Sequence, residues 1–344
     1  MHLVRRACLI AMNKNRFTLK TKQTSDDKKL FQRAILLGGL TVAAAAGYKF
    51  ARAVDEQYIH LPKAVAGELI SFSSTTAGSL AYYVDQQQSG QPLLLLHSIN
   101  AAASSFEMKP LFEYFGGRRP VYSLELPGFG FAERSAHRAY VPELYAQSIV
   151  EMISSQIGAQ VDVVALSLSS EFAARAAVNR PDLFRSLTLI SPTGFSGQMR
   201  EFPGEWLYRF FSLPLLSQAL FALLTRQDVI RYYLQQSFVG EVPASFIKYA
   251  YAASHQPGAR YAPLYFLSTQ MFTPDALTSL YDRLTLPVTV LYDQDPNVSF
   301  AALPDFVAER PNWQAIRVQP SLGLPHWEQL DEVVSILDQV LAQT

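Results

Sequence analysis

The sequence predicts an α/β fold: a mostly parallel central sheet with helices on both faces and a helical section inserted late in the chain. Three observations predict it. Short apolar runs alternate with amphipathic segments from about residue 79 to the end. Two runs, PLLLLHS at 92–98 and VDVVAL at 161–166, are apolar along most of their length. Strands covered on both faces require that, whereas half-solvated strands alternate. Residues 196–285 contain no good strand pattern and many aromatic residues. A segment of that size is too long for a plain loop, so it reads as several short helices forming a cap over the carboxyl ends of the sheet.

The elements follow in order. SLAYYVDQ (79–86) and PLLLLHS (92–98) read as strands, SFEMKPLFEYF (105–115) as an amphipathic helix, RPVYSLEL (119–126) as a strand and PGFG (127–130) as a turn. PELYAQSIVEMISSQIG (142–158) is a helix opened by Pro142. VDVVAL (161–166) is a strand and SSEFAARAAV (169–178) a helix. SLTLIS (186–191), LPVTVLYD (286–293) and WQAIRVQ (313–319) are strands, and HWEQLDEVVSILDQVLAQ (326–343) closes the chain as a helix.

Ahead of this globular region, which begins near residue 57, two segments differ in composition. Residues 1–33 are polar and basic, with Arg5, Arg6, Lys14 and Lys20 among nine cations against Asp26 and Asp27. Met12 offers an alternative start. Residues 34–54 begin with AILLGGLTVAAAAGY, which carries no charge. That run is shorter than the roughly 20 residues of a full bilayer crossing. An uncleaved membrane anchor is the leading expectation. A cleaved signal, with Ala51-Arg52-Ala53 resembling a cleavage site, and a buried or amphipathic helix stay open. The cations before the segment would keep the N-terminus cytoplasmic and the globular part extracytoplasmic, or secreted after cleavage.

Among 344 residues, 49% are hydrophobic and 17% charged, with a formal net charge of zero. There is no electrostatic footprint for nucleic acid. The single cysteine, Cys8, excludes a disulfide within the chain, and no Cys/His spacing suits structural zinc.

The chemistry concentrates at VDVVALSLSSEFAARAA (161–177). A strand runs into Ser167 and turns at once into a helix. Such a turn exposes a hydroxyl only if the residues two before and two after are small, and Ala165 and Ser169 meet that demand. The helix start supplies backbone N–H groups, so the Leu168 amide is a natural donor to an oxyanion. In the next possible register, with Ser169 as nucleophile, Glu171 would occupy the second small position. A serine serving only as a helix cap is the competing reading.

This corner resembles the nucleophile elbow of the α/β-hydrolase family, G-x-S-x-G, here Ala165-Leu166-Ser167-Leu168-Ser169. The order of parts matches that fold over about residues 60–343. The resemblance implies further roles. His97-Ser98-Ile99-Asn100 stands at the family's His-Gly loop, with Ile99 supplying the second oxyanion N–H and His97 structural. Glu125-Leu126-Pro127-Gly128-Phe129-Gly130 matches the D-x-P-G-x-G turn, with Glu for Asp. His326, between the last strand and the final helix, takes the place of the catalytic base; a histidine capping that helix is the alternative. Asp295, followed by Pro296, takes the place of the acid, and Asp293 is its rival.

The implied function is a serine hydrolase cleaving an ester-like bond of a small apolar or aromatic substrate through an acyl-enzyme, with no metal or cofactor. An inactive scaffold or binding protein of the same fold is a second possibility. A lyase or acyltransferase using the same pocket is a third.

Overall fold

The computed structural model describes residues 59–197 and 205–343. The basic tail 1–33 and the segment expected as anchor, signal or buried helix (34–54) lie outside the described residues. Among the described residues no single helix is long and apolar enough to cross a membrane.

Eight strands form one sheet: β1 (Glu68–Ser74), β2 (Gly78–Asp85), β3 (Leu93–Leu96), β4 (Val121–Glu125), β5 (Val161–Leu166), β6 (Phe184–Ile190), β7 (Val288–Gln294) and β8 (Trp313–Leu322). Their order is β1-β2-β4-β3-β5-β6-β7-β8. The strands from β3 to β8 pair in parallel, and β1 and β2 run antiparallel at one edge. Strand β1 has no counterpart in the sequence reading. Its text, ELISFSS, is polar at four of seven positions, and only Phe72 and Ser74 are buried, as suits an edge strand.

Strand β3 shows why the apolar runs are continuous. All four of its leucines are fully buried. Leu94 and Leu96 pack on one face of the sheet, Leu93 and Leu95 on the other. Each contributes about 1.5–3 kcal/mol by leaving water. Helices cover both faces. On one lie α2 (Pro142–Glu151) and α3 (Ser169–Asn179), joined by the stacked rings of Tyr145 and Phe172 at 4.5 Å. The other is covered by α1 (Lys109–Phe115) and the last helix, whose Val333, Leu337 and Leu341 are buried. The expected helix at 105–115 begins as a 3-10 turn over Ser105–Met108, and α2 ends in a π turn over Met152–Ile157.

Between β6 and β7 the described residues are helical, as expected for the cap: α4 (Glu205–Phe211), α5 (Pro214–Leu224), α6 (Gln227–Gln235), α7 (Ala244–Ser254), α8 (Tyr261–Leu267) and α9 (Ala276–Ser279). After β7 come α10 (Leu303–Ala308), α11 (Pro325–Glu328) and α12 (Leu330–Gln343). Gln329 separates α11 from α12, so the single closing helix expected at 326–343 is broken in two.

The amino end of β5 is pinned by charge. Asp162 is fully buried and accepts hydrogen bonds from Arg119 Nη2 at 2.7 Å, Arg185 Nε at 2.9 Å and Ser186 Oγ at 2.6 Å. Arg185 also donates to the carbonyl of Leu341 in α12 at 2.9 Å.

The turn after β4 depends on Gly130, whose φ is +50°. A Cβ there would collide with the carboxyl group of Glu125, which is fully buried. Gly130→Ala is therefore expected to lose about 2–4 kcal/mol, from backbone strain and a displaced buried carboxyl. Urea unfolding checks it. A midpoint equal to wild type would mean that Glu125 can move aside freely.

Candidate active site

Parallel pairing of β3 with β5, in a register that sets Leu96 opposite Ala165, brings the loop after β3 and the turn after β5 to the same edge of the sheet. Ser167 sits in that turn, half-buried, with φ at +55°. A left-handed serine is uncommon and costs of order 1 kcal/mol. Its N–H donates to the carbonyl of Ile190 at 2.8 Å, which fixes the corner to the end of β6. Ala165 and Ser169 are fully buried, so bulk at either position would meet packed neighbours.

Ser169 Oγ donates to the carbonyl of His97. That bond ties the serine turn directly to the loop after β3, where Ile99 is buried. Among the described residues, neither the Leu168 nor the Ile99 amide donates to a backbone carbonyl. His97 has both ring nitrogens engaged. Nδ1 donates to the Ser98 carbonyl at 2.7 Å, and Nε2 accepts from the Leu126 amide at 3.1 Å. Burial pushes its pKa down to about 4. It is a neutral strut in this geometry, with no nitrogen left to act as a base.

A residue that sequence reasoning placed only in an amphipathic helix organises this loop. Glu107 is buried, and its carboxylate accepts from the Ser98 amide and from Asn100 Nδ2, each at 2.7 Å. Asn100 donates in addition to Ser98 Oγ at 3.0 Å. The backbone carbonyl of Glu107 accepts from His326 Nε2 at 2.8 Å and from Trp327 Nε1 at 2.7 Å. One residue thus holds the loop after β3 with its side chain and the loop after β8 with its main chain. In the linear text it is a carboxylate two residues past the pair Ser104-Ser105, with nothing that separates it from the solvent side of an amphipathic helix.

His326 is fully buried in α11. Because a carbonyl can only accept, Nε2 carries the proton, and burial lowers the pKa to about 4, so the ring is neutral at pH 7. Nδ1 has no hydrogen-bond partner among the described residues. The structure therefore places His326 at the expected edge of the sheet without a hydrogen bond to Ser167 or to either aspartate.

The two aspartates differ in occupation. Asp293, on β7, accepts from Arg317 Nε at 2.6 Å and from the Ser321 amide at 3.1 Å. Asp295, just past β7, uses Oδ1 to accept from the amides of Asn297 at 2.7 Å and Val298 at 3.2 Å. Its Oδ2 faces Gly323, three residues before His326; a Cβ there would lie 3.0 Å from it. Burial raises the Asp295 pKa from 3.8 to about 6, against the two amides that lower it.

Phe106 links this edge to the cap. Its ring stacks on Tyr249 of α7 at 4.5 Å and on Trp327 at 5.8 Å, and Phe246 meets Trp327 at 4.9 Å. These cap aromatics are packing residues.

A profile of the alpha/beta hydrolase family matches residues 93–336. The chain belongs to that family. Its sequence is 28% identical over 111 residues to (E)-2-((N-methylformamido)methylene)succinate hydrolase of Acinetobacter baylyi, covering 32% of this chain and 41% of that protein. A hydrolase of Bacillus subtilis is 25% identical over 122 residues, covering 35% of this chain and 44% of its own length. The chain thus matches less than half the length of either relative. Among solved structures, a probable hydrolytic enzyme of Pseudomonas aeruginosa PAO1 superposes with a TM-score of 0.65 at 19% identity, covering 80% of this chain and 95% of that one. At such identity the likeness establishes the fold.

Two outcomes follow for the site's stability. Glu107→Ala is expected to lose about 2–4 kcal/mol, because the buried Ser98 amide is left without an acceptor and Asn100 keeps only Ser98 Oγ. Glu107→Gln should lose less, having one oxygen to share between them. Denaturant unfolding of both variants measures this; a neutral Glu107→Ala would remove the carboxylate from its role as loop anchor.

For Asp295, a folded pKa raised from 3.8 to about 6 means that its contribution to stability is full below 3.8 and is lost as pH rises through about 6. Buried His97 and His326, with lowered pKa values, act oppositely: their contribution is present above 6.5 and lost as pH falls toward about 4. The melting temperature of Asp295→Asn minus that of wild type isolates the aspartate and should grow as pH rises across its window. A difference independent of pH would mean that the carboxylate titrates as it does in water.

Proposed function

We propose that the protein is a serine hydrolase that cleaves an ester-like bond of a small apolar or aromatic substrate. Ser167 is the nucleophile, His326 the base, Asp295 the orienting acid, and the amides of Leu168 and Ile99 the oxyanion donors. The observation that carries this reading is the left-handed Ser167 at a strand-to-helix turn, beside a second loop with an amide left available. A backbone strained to present one hydroxyl has little purpose in a helix cap.

In the reaction His326 takes the proton of Ser167 as Oγ attacks the carbonyl carbon. The two amides receive the developing negative charge, and His326 passes its proton to the leaving alkoxide. Water then enters with the same base and releases the acid. Asp295 is favoured over Asp293 because Arg317 and Ser321 already occupy both oxygens of Asp293. For His326 to act, Nε2 must leave the Glu107 carbonyl. A half-turn of the ring about its Cβ–Cγ bond exchanges Nε2 with Cε1 and leaves a C–H···O contact in place of the N–H···O bond, and the ring proton must also pass from Nε2 to Nδ1, the side Asp295 would hold, before Nε2 can accept from Ser167. On the same reading, residues 34–54 would hold the catalytic domain at the extracytoplasmic side of a membrane, or release it if cut.

The bond from His326 Nε2 to Glu107 favours a second reading, a scaffold that keeps the fold without the chemistry. A lyase or acyltransferase would use the same serine and base and is separated by analysing products.

A fluorophosphonate probe discriminates the first two. Wild type should be labelled and Ser167→Ala should not. Asp295→Asn should slow labelling by about 10²–10⁴-fold, whereas Asp293→Asn should stay within a few-fold of wild type. Absence of labelling on a folded wild-type chain would hand the function to the scaffold reading.

A further inference from the structure

The cap carries an inverted pair of helices. From Phe210 to Thr225 the chain has no charged residue. A buried segment of that composition would need no comment, but this one is at the surface. Trp206, Phe210, Leu213, Leu215 and Leu223 are between 44% and 63% exposed. On α5 the row Leu215, Ala219, Leu223 faces outward in part or in full, whereas Ser217, Phe221 and Thr225, one row round, are buried. The helix hides hydroxyls and shows leucines.

The few polar groups of the segment are turned to the protein's own backbone. Ser212 Oγ donates to the Arg209 carbonyl at 3.0 Å, and Thr225 Oγ1 to the Phe221 carbonyl at 2.8 Å. Gln218 is the one amide side chain, and it is half-buried. A protein partner needs about one hydrogen bond per 100–200 Å² of interface and a polar rim. The apolar part of this face offers almost no hydrogen-bonding groups, which suits an occupant that makes no hydrogen bonds. At its borders stand Arg209 on α4, ion-paired with Glu205, Arg226 before α6, ion-paired with Asp228, and Arg231 within α6.

Its geometry fits a surface rather than a crossing. Helices α4 and α5 together pass as apolar enough for a membrane, but they meet at 86°. Their seven and eleven residues reach about 10 and 16 Å, short of a core about 30 Å thick. We propose that α4 and α5 form a docking surface for a lipid membrane, seating Trp206, Phe210, Leu213, Leu215 and Leu223 at the boundary between headgroups and acyl chains. The cap thereby faces the membrane, and Arg209, Arg226 and Arg231 meet the headgroup phosphates. The docking is independent of the activity proposed above and needs no working serine.

The test uses the full chain with vesicles of mixed phosphatidylcholine and phosphatidylglycerol. Trp206 is one of three tryptophans, so the fluorescence difference between wild type and Trp206→Phe isolates it. Lipids brominated on the acyl chain should quench Trp206 on binding. Leu215→Asn/Leu223→Asn, both at exposed positions and checked by thermal melting, should weaken that quenching about tenfold in lipid concentration. Vesicle binding with Trp206 unquenched would put the contact in another part of the chain, such as residues 34–54, and overturn the proposal. So would no quenching at all. Shielding of Trp206 from acrylamide that rises with protein concentration in the absence of lipid would show a second copy of the chain on this face, and would overturn it too.

Discussion

The parallel pairing of β3 with β5 is the constraint from which the rest follows. Because the two strands run the same way and stop at the same height, the loop carrying Ile99 and the turn carrying Ser167 emerge side by side. An antiparallel neighbour would have put them at opposite edges. Strands that must be covered on both faces need continuous apolar text, and LLLL in β3 supplies it. The site is therefore a consequence of how a buried sheet is built, and its polar parts are confined to the one edge where strands end.

At that edge, side chains do what glycines do in the motif the sequence resembles. Ser169 and Ser98 stand where the motif has glycine, and each hydroxyl has found a partner: the His97 carbonyl for one, the Asn100 amide for the other. A backbone that glycine would leave flexible is held here by bonds. Glu107 completes the arrangement, since its carboxylate and its carbonyl reach the two loops that the chemistry would have to bring together. The substitutions that look like decay of a motif in the linear text are, in space, a connected set.

Much of this was legible in advance, and the reasons are local. Seven of the eight strands were read from the sequence, β3 and β5 from continuous apolar runs, and the turn at Ser167 is marked by the small residues around it. Strand β1 was not legible because an exposed edge strand has no apolar run to show. Glu107 was not legible because a carboxylate within an amphipathic stretch reads as its solvent side, and only the return of α11 reveals that it is covered. The proposed preference for Asp295 over Asp293 rests on Arg317 and Ser321, partners of Asp293 that sit on another strand. The state of His326 was beyond any sequence pattern, since it turns on which ring atom meets one carbonyl.

Asp162 gives the far end of β5 a different kind of importance. Two guanidinium groups and a hydroxyl lock one strand residue in register, and a buried ion pair is better suited to fixing position than to adding stability. A strand under torsional stress at one tip can relieve it by slipping lengthwise. Here slipping would tear a charge from its partners, so the stress at Ser167 has no exit. The serine behaves like the tip of a cantilever clamped at its base: the strand behind it cannot shift, and the hydroxyl keeps its place.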